Sequence, residues 1–223
     1  RFWRHKPHLR FASAAIRVFD AACMPPLFVP ADHFREVSRT EIFPDASRPL
    51  EIDLGCGDGT FLTGMAAHHP ERDFLGVERM LGRVSKTARK IGLQGLTNAR
   101  IMRIESAYSV AWLLPRASVS RLHLLCPDPW PKKRHHKRRL VQPAFVEKIV
   151  SRLKTGAYIH MATDWENYAE HMLEVMSAAE GYENTSATGN WVPRPDWRPL
   201  TKFEQRGHRL GHGVWDLIFK RVS

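Results

Sequence analysis

The chain has 223 residues, enough for one α/β domain with a large core and too few for two of ordinary size. Its 34 Lys and Arg against 23 Asp and Glu leave +11, an excess that favours a polyanionic partner. Cys23, Cys56 and Cys126 lie far apart with no Cys-x-x-Cys pair, which argues against a disulfide framework or a zinc site, and no signal-like opening or long apolar run is found, so a soluble, cytoplasmic protein is expected.

The opening is basic from Arg1 to Arg10 and begins without Met, as expected where a leader or tail has been removed or left out. It reads either as an arm near nucleic acid or as a frayed terminus. Residues 1–48, punctuated by Pro25, Pro26, Pro30 and Pro44, read as a partly irregular N-terminal extension, and 49–223 as the main domain. Strands are expected near Leu50–Leu54, Asp73–Val77, Ala99–Ile104, Arg121–Cys126 and Ala157–Ala162. Helices are expected near Thr60–His69, Gly82–Ile91, Ala107–Leu113, Pro143–Leu153 and Trp165–Ala179. This alternation predicts an α/β doubly wound, mostly parallel sheet with helices on both faces. Gly189–Leu200 reads as a loop rich in Pro and Trp, followed by a late antiparallel strand at Val214–Lys220.

Asp53-Leu54-Gly55-Cys56-Gly57-Asp58-Gly59 joins the first strand to the first helix, where glycines permit a tight turn and close approach of backbone to a ligand. Glu78, Glu105 and Asp128 follow at successive strand ends, which line the ligand crevice of an open α/β sheet. The 19-residue step from Gly59 to Glu78 suits a ribose-binding acid. A dinucleotide loop reads Gly-x-Gly-x-x-Gly. The spacing here is Gly-x-Gly-x-Gly with an acid two residues ahead, the pattern of S-adenosylmethionine sites, whose sulfonium cation suits carboxylates. Ordinary strand-end turns with chance acids are the bland alternative, strongest for Glu105 taken alone.

Pro127-Asp128-Pro129-Trp130-Pro131 runs directly into six cations, Lys132, Lys133, Arg134, Lys137, Arg138 and Arg139. The company of Asp128 and Trp130 favours an active-site loop fused to a phosphate-binding patch over a merely solvated charge run.

Together these residues resemble the bacterial single-subunit tRNA (guanine-N7-)-methyltransferases, within the class I S-adenosylmethionine-dependent methyltransferases of Rossmann-like fold. The resemblance is carried by Asp53–Gly59, Phe74–Glu78, Pro127–Arg139, Ala162-Thr163-Asp164-Trp165-Glu166 and Thr201-Lys202-Phe203-Glu204-Gln205-Arg206-Gly207, and spans about Leu50 to the C-terminus. It implies methyl transfer from S-adenosylmethionine to guanosine 46 of the tRNA variable loop, leaving S-adenosylhomocysteine. It further implies cofactor contacts at Asp53, Gly55, Gly57, Glu78, Glu105 and Asp128, and guanine or tRNA contacts at Lys132, Asp164, Thr201, Lys202, Phe203 and Glu204. The RNA backbone falls to Lys133, Arg134, Lys137, Arg138 and Arg139. The family usually carries Glu before the loop and Asp at the third strand end, where this chain has Asp53 and Glu105; Glu51 could stand in for Asp53, from the same face of the strand. The resemblance permits a monomer or a homodimer.

The chemistry needs no general base, because guanine N7 offers a lone pair and carries no proton. Asp128 and Asp164 are accordingly expected to act by position and charge, with Asp164 or Glu204 accepting guanine N1–H and N2–H₂. Asp164 could instead, or also, cap the following helix. Trp130, Trp165, Trp191 and Trp197 are candidates to hold an unstacked base, though core packing is the commoner role for any one of them. Cys126 reads as a buried strand cysteine, His160 and His171 as locally packed or paired, and no metal is expected. Two rivals remain open at this stage. One is methylation of an exocyclic amine, which Pro127-Asp128-Pro129-Trp130 approaches without the second consecutive proline after the acid; the other is a non-catalytic RNA binder, which would not need four acids beside a polyanion.

Overall fold

The computed structural model describes residues 24–200, 204–205, 211 and 213–223. Among these, β1 (Leu27–Phe28), β2 (Leu50–Leu54), β3 (Asp73–Glu78), β4 (Ala99–Arg103), β5 (Val119–Leu125), β6 (Leu153–Thr163), β7 (Tyr182–Asn184) and β8 (Trp215–Arg221) form one sheet. Its order is β1-β4-β3-β2-β5-β6-β8-β7. Pairing is parallel up to β6, after which β8 runs antiparallel to β6 and β7 antiparallel to β8. The chain winds outward from β2 to β4, then restarts at β5 on the other side of β2. The carboxyl ends of β2 and β5 therefore flank the point where the order reverses, the place at which such sheets open a crevice.

Strands β2 and β3 are buried at every position, as strands covered by helices on both faces must be. On one face Phe61, Leu62 and Met65 of α2 (Thr60–His68) and Val84 and Ile91 of α3 (Leu81–Leu93) pack on Phe74 and Ile101. On the other, Val146 and Ile149 of α5 (Pro143–Val150) and Tyr168, Met172 and Met176 of α6 (Glu166–Ser177) pack on Ile52, Leu122 and Ile159. Alternation along β2 sends Leu50, Ile52 and Leu54 to the second of these cores and turns Glu51 and Asp53 the other way, as expected.

Several boundaries move for physical reasons. The expected helix over Pro143–Leu153 stops at Val150, and β6 begins at Leu153, before the expected Ala157; Gly156, at φ 80°, lies within it where its pairing with β5 slips register. The helix expected over Ala107–Leu113 is a short α-turn, α4 (Ser106–Tyr108), widening into a π-turn, Ser109–Leu113. Buried Arg152 donates to the carbonyls of Val110, Ala111 and Leu114 at 2.7, 2.6 and 2.8 Å, satisfying groups that the widened turn leaves unpaired. Before residue 49, β1 pairs with β4, and a four-residue helix, α1 (Arg39–Ile42), opens on a reciprocal Ser38–Glu41 cap. Arg100 donates to the carbonyls of Pro25 and Ile42, so the extension is tied to the sheet from there onward.

Candidate active site

The turn after β2 is fixed by backbone bonds. Gly55 N–H and Cys56 N–H both donate to the Val77 carbonyl, at 2.8 and 3.1 Å, folding the chain back over β3. Gly57 N–H and Met80 N–H then donate to the two oxygens of Glu78, at 3.2 and 2.9 Å, so the acid at the end of β3 organises the loop it faces. Gly55 lies at φ 74°, and a Cβ there would meet nothing within 4 Å, so the loop presents bare backbone to open space. Gly59, at φ 72°, answers a different need: a Cβ would fall 2.5 Å from Thr87 Cγ2 of α3.

Gly55, Glu78, Glu105 and Asp128, four residues chosen from sequence, line one cavity of about 340 Å³. Arg79 just before α3, Arg83 in its first turn, and Trp130 and Arg138 complete its walls. Glu105 is held by the backbone, accepting from Tyr108 N–H at 2.8 Å as the cap of the α-turn. Asp128 is exposed. It stands in a loop bracketed by two non-glycine residues in the left-handed region, Cys126 at φ 48° and Trp130 at φ 47°, a strained geometry of the kind that clusters at functional sites.

Asp53 sits behind the wall at 4 % exposure, with no partner for Oδ2. Burial, reinforced by the charge of Glu78, pushes its carboxyl up to about 7. Glu51 does not stand in for it. Burial pushes the Glu51 carboxyl up, but the hydrogen bond and charge of His123, helped by Arg121 and Arg72, outweigh burial and hold it at about 2. Its oxygens are engaged by Arg72 at 2.6 Å and His123 at 3.0 Å.

Cys126 is not within a strand. It lies just past β5 on the cavity wall, half-buried, and burial together with the nearby Asp164 carboxylate pushes its thiol up to about 12, far from a nucleophile's range.

The basic run folds as a 3₁₀ helix, Lys133–Arg138. Lys132, Lys133, Arg134, Lys137 and Arg138 are exposed, and the Arg138 guanidinium lies 5.0 Å over the Trp130 ring at the cavity mouth. Arg139 departs from the expected role. At 3 % exposure it donates to the Pro129 carbonyl at 3.0 Å and to Asn167 O and Oδ1 at 3.3 and 2.8 Å, with its guanidinium 4.8 Å from the Tyr168 ring. It fastens the Pro127–Trp130 loop to α6 and is turned away from any RNA backbone, because its donors fill carbonyls that would otherwise be buried unpaired.

Asp164 is half-buried at the end of β6, close enough to raise the Cys126 thiol. It does not cap α6: the cap position is Trp165, no side chain completes it, and the Trp165 N–H is taken by Thr163 Oγ1. Glu204 is buried, its carboxylate shared between Arg194 and Arg198. Thr201, Lys202 and Phe203 lie outside the described residues. Of the tryptophans, Trp130 lines the cavity and Trp165 is exposed beside Asp164, whereas Trp191 packs on the core and Trp197 on His123 and His160. His171 bonds the Val141 carbonyl, and His160 pairs with His123 and Asp216. Arg79 and Arg83 were missed because nothing in their local pattern marks them; only the topology brings the start of α3 to the crevice.

A family model described as a putative methyltransferase matches residues 47–217. The tRNA (guanine-N(7)-)-methyltransferase of Aeromonas hydrophila is 59% identical over 175 residues, covering 78% of this chain and 74% of that protein. Its counterpart from Shewanella amazonensis is 54% identical over 188 residues, 84% of this chain and 78% of that protein. The chain belongs to this family. Among solved structures, the 16S rRNA methyltransferase KamB superposes with a TM-score of 0.63 at 18% identity, covering 85% of this chain and 96% of that one, which supports the class I methyltransferase fold alone. Membership in the tRNA (guanine-N7)-methyltransferase family resolves the rivalry with exocyclic-amine methylation.

Proposed function

We propose that this chain transfers the methyl group of S-adenosylmethionine to N7 of guanosine 46 in the tRNA variable loop, releasing S-adenosylhomocysteine. The observation that carries the reading is the convergence of Gly55, Glu78, Glu105 and Asp128 on one cavity whose rim is Trp130 and Arg138, in a member of this family. The residues fit the cofactor. Glu78 keeps lone pairs for ribose hydroxyls while holding the loop, Gly55 leaves backbone bare, and the orphan Oδ2 of Asp53 is an acceptor that an amino-acid ammonium group would complete. When bound, S-adenosylmethionine supplies an electrophilic methyl on a sulfonium.

Everything else is positioning. Asp128 fixes negative charge at the border between cofactor and base, where positive charge passes from sulfur to guanine as the methyl moves. The acceptor for guanine N1–H and N2–H₂ falls to Asp164, since Arg194 and Arg198 already occupy the Glu204 carboxylate. Lys132, Lys133, Arg134, Lys137 and Arg138 follow the phosphates, and Trp130 offers a face to an unstacked base. Thr201, Lys202 and Phe203 belong to the same substrate set through the resemblance. The cytoplasm, the reducing setting that free Cys56 and Cys126 suit, is part of the proposal; among the described residues no helix is long and apolar enough to cross a membrane. A tRNA transcript with guanosine 46 replaced by adenosine should accept no methyl group, and undiminished acceptance would overturn the assignment of position.

A further inference from the structure

The cavity carries both signs of charge: Glu78, Glu105 and Asp128 line it together with Arg79, Arg83 and Arg138. The carboxylates suit a sulfonium cofactor, but Glu105 and Asp128 are exposed, and exposed acids at a mouth repel an approaching polyanion. Arg138 belongs to the basic 3₁₀ helix after Trp130. Arg79 and Arg83 come from elsewhere. Along the carboxyl edge of the sheet the order is β4, β3, β2, β5. The loop after β5, which carries Asp128, Trp130 and the basic helix, therefore lies on one side of β2, and the ends of β3 and β4 lie on the other.

On that other side Arg79 follows β3, Arg83 sits in the first turn of α3, and Arg103 ends β4 in register with Glu78. All three are exposed, and their partners within the protein are weak. Both oxygens of Glu78 are already satisfied by the Gly57 and Met80 N–H groups, and Arg83 stands off from this carboxylate at 3.7 Å with 55 % of its side chain exposed. Arg103 Nε donates to the Arg79 carbonyl at a long 3.5 Å, and among the described residues neither Arg79 nor Arg103 forms an ion pair. Arg83 also opposes its own helix, whose first turn favours acids, and α3 continues with Lys86, Arg89 and Lys90 and no acid. Lys90 is matched by Asp58 at 3.2 Å, whereas Lys86 and Arg89 face solvent. Like charges gathered with so little internal compensation repel one another, and an external anion would relieve that repulsion.

A guanosine within a tRNA chain has a phosphate on each side of it, so a backbone that delivers the base to the cavity must leave the mouth in two directions. Lys132, Lys133, Arg134, Lys137 and Arg138 serve the β5 side. We propose that Arg79, Arg83 and Arg103 form a second phosphate-binding bank on the β3–β4 side, so that the tRNA backbone crosses the mouth of the cofactor cavity and is held at both rims. All three are arginines, whose planar fork takes two phosphate oxygens at once. The bank also offsets Glu105 and Asp128, so one mouth can accept a cationic cofactor and a polyanion. This rests on the proposed tRNA reaction and deepens it, adding to the substrate surface three residues to which the resemblance assigns no role.

The test combines Arg79→Gln, Arg83→Gln and Arg103→Gln in one variant and Arg116→Gln, Lys148→Gln and Lys154→Gln in a control. The control makes the same change of charge at exposed positions near the amino ends of β5 and β6, on the far edge of the sheet. Filter binding of a tRNA transcript without cofactor reads the slope of log affinity against log salt. The bank variant should flatten it by about 2–3 if each arginine meets one phosphate, and the control should leave it unchanged. At about 150 mM salt the lost contacts correspond to roughly 10- to 100-fold weaker binding, and kcat/KM for tRNA at saturating S-adenosylmethionine should fall by a similar factor. If the triple variant does not fold, the single variants carry the test, each flattening the slope by about 0.7–0.9. An unchanged slope would overturn the proposal, and a loss confined to S-adenosylmethionine affinity, read by calorimetry, would give the arginines to the cofactor instead. Equal flattening in the control, or flattening with kcat/KM unaltered, would also overturn it, since the tRNA would then be binding away from the cavity mouth. Failure of the underlying reading is distinguishable, because the unaltered protein would form no 7-methylguanosine whatever its salt slope.

Discussion

Five of the six cations after Trp130 face solvent and the sixth does not, so their contributions to tRNA affinity separate. Replacing Lys132, Lys133, Arg134, Lys137 and Arg138 by Gln removes up to five phosphate partners, each worth about 0.7–0.9 in the slope of log affinity against log salt. If each meets one phosphate, the slope should flatten by roughly 4, which between about 50 and 200 mM salt amounts to a factor on the order of 10² in how far affinity falls. Filter binding of one tRNA transcript across that range reads the slope directly. Arg139→Met is the internal control: its guanidinium is spent on Pro129 and Asn167, so the slope should stay that of the unaltered protein. An unchanged slope in the five-fold variant would show that the run is only wet surface, and a flattened slope in Arg139→Met would refute the inward placement.

Arg139→Met should instead lower stability by about 2–4 kcal/mol, because buried acceptors at Pro129 and Asn167 lose a charged donor; chemical denaturation measures it. Asp53→Asn should stabilise the cofactor-free protein at pH 8 but not at pH 4. The folded pKa of about 7 lies above the unfolded carboxylate value, so the contribution of Asp53 is fully favourable below about pH 4 and is lost as pH rises through 7. The limit is on the order of 4 kcal/mol, and thermal midpoints at the two pH values should show the divergence. Gly59→Ala meets both a left-handed backbone and Thr87, whereas Gly55→Ala meets only the backbone penalty of about 1–2 kcal/mol. The first should therefore unfold more readily, while the second should fold and bind S-adenosylmethionine more weakly, by calorimetry.

Much of this was legible in the chain. The period of apolar runs placed β2 at Leu50–Leu54, and the acids at strand ends marked the crevice, because parallel topology delivers every such end to one side. Charge alone could not tell Arg139 from its neighbours: its inward turn depends on carbonyls of Pro129 and Asn167, the latter 28 residues away in sequence. The short strands β1 and β7 were missed, since two or three residues carry no period. The buried row that joins Glu51 of β2, His123 of β5, His160 of β6 and Asp216 of β8 was invisible for a related reason: its members come from four strands, and each looks locally like an isolated polar residue. His160 was expected only to pair nearby, and the register of β5, β6 and β8 decides with whom.

The central claim is tested most directly by incubating the protein with unmodified tRNA transcripts and S-adenosylmethionine, digesting to nucleosides and identifying the methylated product by mass spectrometry, with Asp164→Ala alongside. The account predicts 7-methylguanosine from the unaltered protein and about 10²- to 10³-fold less from the variant, the loss expected when one preorganised partner of the transition state is removed. A different methylated nucleoside, or none from a protein that still binds tRNA, would contradict it.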